Sequence, residues 1–252
     1  MWIYLSPHFD DAVLSCGGLI WQQAQARQRV EVWTVCAGEI PPGPLTPFVQ
    51  ELHARWGTGL LSVARRRAED ETACRAVGAA ARGFTLPDCI YRRLPDSAEP
   101  VVIQEEDLWQ PVHPGEAALV DQVRAWILHG LGKSGGTGLA KNVHLVSPLA
   151  VGGHMDHRLL RAAAEALDLP LWYYADYPYA AKTGFDPRQW LDGGYRVHAV
   201  RLSLAALAAW QTGVAAYTSQ ISSFWPSLED MRLAIESYAR TPPGRSLWKK
   251  MN

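Results

Sequence analysis

The chain has no apolar run of bilayer length, no Cys-x-x-C pair, no G-x-G-x-x-G turn and almost no net charge. The first absence leaves no bilayer-spanning segment. With the second, the four cysteines (Cys16, Cys36, Cys74, Cys89), all in apolar segments, read as core thiols of a reducing compartment. The third argues against a dinucleotide site, because only Gly17-Gly18 follow the first turn and are better read as allowing close helix–sheet packing. The fourth, a formal net charge of -1, leaves nothing to attract nucleic acid or an anionic membrane. A phosphate loop is also missing. Gly132-Lys133-Ser134-Gly135-Gly136-Thr137-Gly138 follows a helical stretch and has Ile127 where the motif needs glycine, so it reads as a flexible connector. The chain enters an apolar strand at Trp2 with no basic leader, and a cytoplasmic protein is expected.

What is present is ample apolar material, 48% of 252 residues, enough for one α/β domain spanning 1–252 with a mainly helical part from about 203. Trp2 to Leu5, Val30 to Cys36, Val143 to Val146 and Leu169 to Tyr174 read as strands, with Phe84 to Leu86 a third strand in chain order and Cys89 to Tyr91 a short edge. Arg196 to Leu202 alternates like an antiparallel edge strand. Helical spacing covers Ala12 to Gln28, Leu61 to Gly78, Gly115 to Leu131, Leu159 to Leu167, Leu204 to Tyr217 and Leu228 to Tyr238. Ile40 to Gly59 and Leu94 to His113 read as long loops over one edge of the sheet, and the basic tail after Gly244 as a solvated terminus. His53 and Trp56 read as surface filler.

Two polar clusters interrupt this pattern. Ser6-Pro7-His8-Phe9-Asp10-Asp11 forms the turn from the first strand into its helix, and His154-Met155-Asp156-His157 opens a helix after another strand. Ligands bind at such carboxyl ends in open α/β sheets. A His and two carboxylates crowded there are costly unless neutralised, and a divalent metal does so. His154 and His157 lie one helical turn apart and can face one point. Two His and one carboxylate make a ligand set of catalytic-zinc type. Taken singly, Asp10, Asp11 or Asp156 would be an ordinary helix N-cap; two His-plus-Asp clusters at equivalent strand ends are hard to explain as independent caps.

His8-Phe9-Asp10-Asp11 with His154-Met155-Asp156-His157 resembles the LmbE-like (PIG-L) family of zinc-dependent de-N-acetylases. Arg66, Glu69, Ala73 and Val77-Gly78 are similar to that family's Arg-x-x-Glu helix, and Tyr217-x-Ser219-Gln220 is a further echo. The chain departs from the family pattern at Phe9, where proline is usual, and at Ala12, where glutamate is often found. The resemblance implies a Rossmann-like, mostly parallel sheet with helices on both faces. It implies zinc (Fe, Co or Ni fitting the same donors) on His8, Asp11 and His157. Asp10 would be the general base, His154 the oxyanion stabiliser, and Asp156 the group that orients or charges His154. Arg66 and Glu69 become candidates to reach substrate, and Tyr177, in the Asp176-to-Tyr179 turn, a candidate cleft wall for a sugar ring.

The implied reaction is de-N-acetylation of an N-acetylated amino sugar or glycoside, a small-molecule partner. Two alternatives stay open: a zinc amidohydrolase on a non-sugar amide such as a thiol conjugate or acylated antibiotic, and a metal-bound carbohydrate-binding protein without turnover. The presence of Asp10 and His154 argues against a pure binder, which needs no base. A homo-oligomer also stays open.

Overall fold

The structure, a computed structural model, describes residues 1–135, 143–182, 184–191 and 194–251. In chain order it runs β1 (Trp2–Ser6), α1 (Asp11–Gln25), β2 (Val30–Thr34), α2 (Pro47–Trp56), α3 (Ser62–Ala76), β3 (Ala80–Gly83), α4 (Ala118–Gly135), β4 (His144–Pro148), α5 (Met155–Glu165), β5 (Leu171–Tyr174), α6 (Tyr179–Lys182), β6 (Tyr195–Ala199), α7 (Leu204–Ala215), α8 (Ile221–Phe224), α9 (Leu228–Ala239) and β7 (Ser246–Lys250). Seven strands among the described residues form one sheet in the order β3-β2-β1-β4-β5-β7-β6. The first five are parallel, and β7 is antiparallel to both β5 and β6. Right-handed crossovers put α1 and α3 on one face and α4 and α5 on the other. Strand order reverses between β1 and β4, so the carboxyl ends of those two strands flank the crevice where such sheets bind ligands.

Apolar strands explain the centre. β1 is buried along its whole length, and Ile3, Tyr4 and Leu5 are fully enclosed. α1 and α3 both pack on α7. Gly17 and Gly18 serve this helix–helix contact and not helix–sheet packing: a Cβ on Gly17 would lie 2.2 Å from the Trp210 ring. Trp210 seals the contact by donating its indole N–H to the Val13 carbonyl (2.7 Å). All four cysteines are buried free thiols. No helix among the described residues is long and apolar enough to cross a membrane.

Several elements differ from expectation. The Ile40-to-Gly59 stretch contains α2, because Thr46 caps it by accepting from the Val49 N–H, Pro47 sits at its first turn and Gly57 ends it at φ +62°; here proline and glycine punctuate a helix at both ends. The third strand is Ala80–Gly83 and not Phe84 to Leu86; it is a mostly exposed edge, held by its register with β2. Cys89–Tyr91 is a 3₁₀ turn capped by the Asp88 carboxylate. Gly132 to Gly135 continue α4, and 136–138 of the expected connector lie outside the described residues. The basic tail is no solvated terminus: Ser246–Lys250 is β7, inserted between β5 and β6, with Leu247 and Trp248 buried.

Asp70 on α3 is buried and accepts hydrogen bonds from the Tyr217 hydroxyl (2.7 Å) and the Thr34 hydroxyl (3.2 Å). Burial pushes its carboxyl from 3.8 up to about 7, against the pull of those donors. The folded state therefore keeps a proton that the unfolded chain releases near pH 4. The stability this residue contributes is complete below that pH and is lost as pH rises to about 7, roughly 4 kcal/mol in all. Relative to wild type, Asp70→Asn should gain stability across that window and show no further trend above it. Urea unfolding of both proteins from about pH 4 to 8 measures this; a pH-independent difference would contradict it.

Candidate active site

The two clusters meet. Ser6 shapes the first turn by donating to the His8 carbonyl (2.6 Å) and accepting from the Ala12 N–H (3.0 Å). Phe9, standing where the family usually has proline, is buried with Val49, Leu52 and Met155, so packing holds the turn. Ala12 is fully buried. Asp10 occupies the N-cap position of α1 but makes no capping hydrogen bond. The cap of α5 is His154, whose Nδ1 accepts the Asp156 N–H (3.2 Å). Neither Asp10 nor Asp156 is therefore an ordinary capping side chain.

Asp11 joins the clusters. Its Oδ2 lies 3.1 Å from His8 Nδ1 and also accepts the His8 N–H (2.8 Å), and its Oδ1 lies 3.3 Å from His157 Nε2. Each imidazole is held from behind by a second buried carboxylate. His8 Nε2 is 3.1 Å from Asp156 Oδ2, and His157 Nδ1 is 2.7 Å from Asp176 Oδ1. Asp176 stands at the carboxyl end of β5 and is fixed by the Val151 N–H (3.0 Å). Carboxylate-backed imidazoles are typical of metal-ligating histidines. With protons kept on the rear nitrogens, His8 Nδ1 and His157 Nε2 are left as donors facing Asp11. Their separations from its oxygens are close to the ligand–ligand edge of about 3.3 Å that zinc bond lengths imply for a tetrahedral site. The residues present thus fit a divalent metal.

One ring nitrogen each from His8, His154 and His157 also lie within 4.8 Å of one another. His154 uses Nδ1 for its cap, so only Nε2 is available to the cleft. Cys36 and Cys89 approach Asp156, but burial pushes both thiols well above their ordinary range, and a protonated thiol is a poor ligand.

Charge follows this geometry. Burial would raise the Asp11 carboxyl, but His157 and His8 outweigh it and hold the group well below the usual range. Burial disfavours charged His157, yet Asp11 and Asp176 push the imidazole up to about 10. His8 is raised well above its ordinary value, with Asp88, Asp11 and Asp156 outweighing burial. His154 goes the other way: burial, then the charges of His8 and His157, hold it well below its ordinary value. Burial raises Asp10, with Arg66 opposing.

Not every expected residue serves the cleft. Arg66 reaches it, 3.6 Å from both Asp10 and Asp88, its guanidinium over the Trp56 ring; its buried Nε has no hydrogen-bond partner. Glu69 does not: it accepts from the Thr218 hydroxyl (2.6 Å), the Ser219 N–H (2.9 Å) and the Ser219 hydroxyl (2.6 Å). It therefore anchors the turn carrying Tyr217-x-Ser219-Gln220. Tyr177 is buried against Trp225 and Tyr238, because its neighbour Tyr179 takes the cleft-facing place. Gly152, at φ +88°, permits that approach: a Cβ there would lie 2.6 Å from the Tyr179 ring. The Asp156 carboxylate is bonded to His8, the Cys89 N–H (3.0 Å) and Arg92 (2.6 Å), and touches His154 only through its backbone. His53, expected at the surface, is buried on the Tyr91 hydroxyl (2.7 Å), while Trp56 lines the cleft. Asp88 and Arg92, flanking a 3₁₀ turn, and Trp109, at the end of another, line or support the site without any periodicity in sequence to mark them. Asp176 carried a usable signal, a third acidic residue at a strand's carboxyl end.

The cleft above these groups holds about 270 Å³ and is partly open to solvent, with Arg66, Asp88, Trp109 and Tyr179 among its lining. A profile of the PIG-L family, described as GlcNAc-PI de-N-acetylase, matches residues 3–167, and the chain belongs to that family. It is 28% identical over 197 residues to the 2'-N-acetylparomamine deacetylase of Niallia circulans and 28% over 187 residues to that of Streptomyces fradiae. These matches cover 70% and 71% of the chain but 66% and 58% of the two relatives. The zinc-inhibited form of teicoplanin deacetylase Orf2 superposes with a TM-score of 0.83 at 28% identity, covering 98% of this chain and 97% of that one.

The carboxylates around them favour the charged forms of His8 and His157, so metal binding near pH 7 should release protons, and affinity should rise with pH through the neutral range. Calorimetry of zinc binding in buffers of different ionisation enthalpy counts them. Zero proton release would show that both imidazoles are already neutral before the metal binds and would contradict their charged pairing with Asp11.

Proposed function

We propose that the chain is a metal-dependent hydrolase, with zinc on His8, Asp11 and His157, that removes the acetyl group from an N-acetylated amino sugar or glycoside. One observation carries this reading. Two carboxylate-backed imidazoles converge on one carboxylate, with a second carboxylate beside it that neither caps a helix nor meets a hydrogen-bonding cation. Family membership and the named deacetylase relatives support the same chemistry.

His8, Asp11 and His157 would hold the zinc, which when bound would supply Lewis acidity at the amide carbonyl and acidify a water toward neutrality. Asp10 accepts the proton of the attacking water and delivers it to the departing amine, so one water adds across the C–N bond, giving acetate and a free amine. Its carboxyl, raised by burial and restrained by Arg66, is suited to exchange a proton. His154 meets the oxyanion. With Nδ1 accepting the Asp156 N–H, its neutral ring carries the proton on Nε2 and donates it as a preorganised hydrogen bond. Arg66 and Asp88 bind sugar hydroxyls on the α3 side. Beyond them the cleft presents Phe48, Leu52, Trp56, Leu108, Trp109 and Phe224, an apolar wall matched to a glycoside whose aglycone is apolar or aromatic.

Asp10→Asn should keep zinc while losing about 10²–10⁴-fold in turnover, the usual range for a general base. His157→Ala should lose zinc itself. Metal analysis beside amine release from N-acetylglucosamine and aryl N-acetylglucosaminides separates the two. Full activity in Asp10→Asn would refute the base assignment. Zinc binding without amine release from any N-acetyl glycoside would refute the substrate class.

A further inference from the structure

Behind His8, on the side away from the cleft, lies a buried chain of charges that the proposed reaction does not use. Arg92 donates from one terminal nitrogen to Asp156 Oδ1 (2.6 Å) and to the Pro87 carbonyl (3.2 Å). From Nε and its other terminal nitrogen it grips Glu116 at 2.6 and 3.2 Å. Arg92, Glu116 and Asp156 are 6%, 3% and 0% exposed, so none of these contacts is a solvated surface pair. Glu116 belongs to a 3₁₀ turn, Pro114–Glu116, just ahead of α4, and Arg92 to the irregular segment after β3. Neither lies near the two His-plus-Asp motifs in sequence.

The order of donors and acceptors gives this chain a consequence at the metal. Arg92 and the Cys89 N–H can only donate, and both donate to the Asp156 carboxylate. The carboxylate is left as an acceptor toward His8, so Nε2 keeps its proton and Nδ1, facing Asp11, is the nitrogen that would give up its proton to a metal. Glu116 neutralises Arg92 bidentately and fixes the plane of the guanidinium, and hence the oxygen it meets. We propose that Arg92 and Glu116 are positioning residues for the metal: through Asp156 they set the tautomer and ring orientation of His8 and thereby the affinity of the site for zinc. This rests on the metal reading given above and adds to it a control outside the ligand set.

The test is the zinc dissociation constant, measured by competition with a chromophoric chelator, together with the visible spectrum of the cobalt-substituted protein. Arg92→Met should weaken zinc binding by about 10–100-fold, the usual cost of losing a group that orients a ligand, and should alter the cobalt bands. Glu116→Gln should cause a smaller loss in the same direction, and Arg92→Lys should recover part of what Arg92→Met loses. A purely structural role would lower the unfolding midpoint and leave the zinc constant and cobalt spectrum unchanged. Wild-type zinc affinity in folded Arg92→Met overturns the inference. If that variant does not fold, wild-type affinity in both Glu116→Gln and Arg92→Lys overturns it instead. Failure of the wild-type protein to bind zinc would defeat the underlying metal reading, a separate outcome.

Discussion

The contact of one carboxylate, Asp11, with two imidazoles from opposite sides of the β1–β4 crevice is the constraint on which the site depends. It costs desolvation to enclose these groups, and only mutual attraction and complete hydrogen bonding offset that cost. Each remaining partner of the three is accounted for: Asp156 behind His8, Asp176 behind His157, and the His8 N–H on Asp11 itself. A change in any one of them leaves a buried charge short of a partner, and the cluster is further tied to the backbone N–H groups of Val151, in the turn after β4, and Cys89, in the segment after β3.

The fold supplies the convergence cheaply. A parallel sheet delivers the carboxyl ends of β1, β4 and β5 to one edge, and the helices after β1 and β4 start there. The motif residues thus need no long loops to meet. The loops do a different task. They bring Asp88 and Arg92 beneath the site and Trp109 above it, and the turn after α7 is pinned by Glu69 and Asp70 so that Gln220 and Phe224 reach the cleft. The two His-plus-Asp clusters sit at the sheet edge, and part of the cleft lining comes from the segments around it.

This division explains what could be read from the sequence. The central strands announce themselves by apolar runs, and His8, Asp11, His154 and His157 by their placement at strand ends. Arg66 was reachable only through its place in a motif, because spacing alone gives it the look of a solvated helix face. Tyr177 points away from the cleft because it lies two residues from Tyr179 along a turn, and Glu69 shares a helix face with Arg66 but is taken by Thr218 and Ser219 in the turn after α7. The tail strand β7 and the helix α2 were missed for opposite reasons. β7 is short and basic, and only its neighbours β5 and β6 make it a strand; α2 is bracketed by residues that also mark loops. Arg92 and Glu116 have no local signature, since their meaning comes entirely from contacts 24 and 64 residues apart.

The most direct test of the account is the anomalous difference map of a zinc-loaded crystal at the zinc edge. One principal peak is expected, bonded to His8 Nδ1, an Asp11 oxygen and His157 Nε2 at about 2.0–2.2 Å, with His154 outside the ligand shell. A peak seated on the Cys36 or Cys89 sulfur beside Asp156, or zinc held by His154 in place of Asp11, would contradict it.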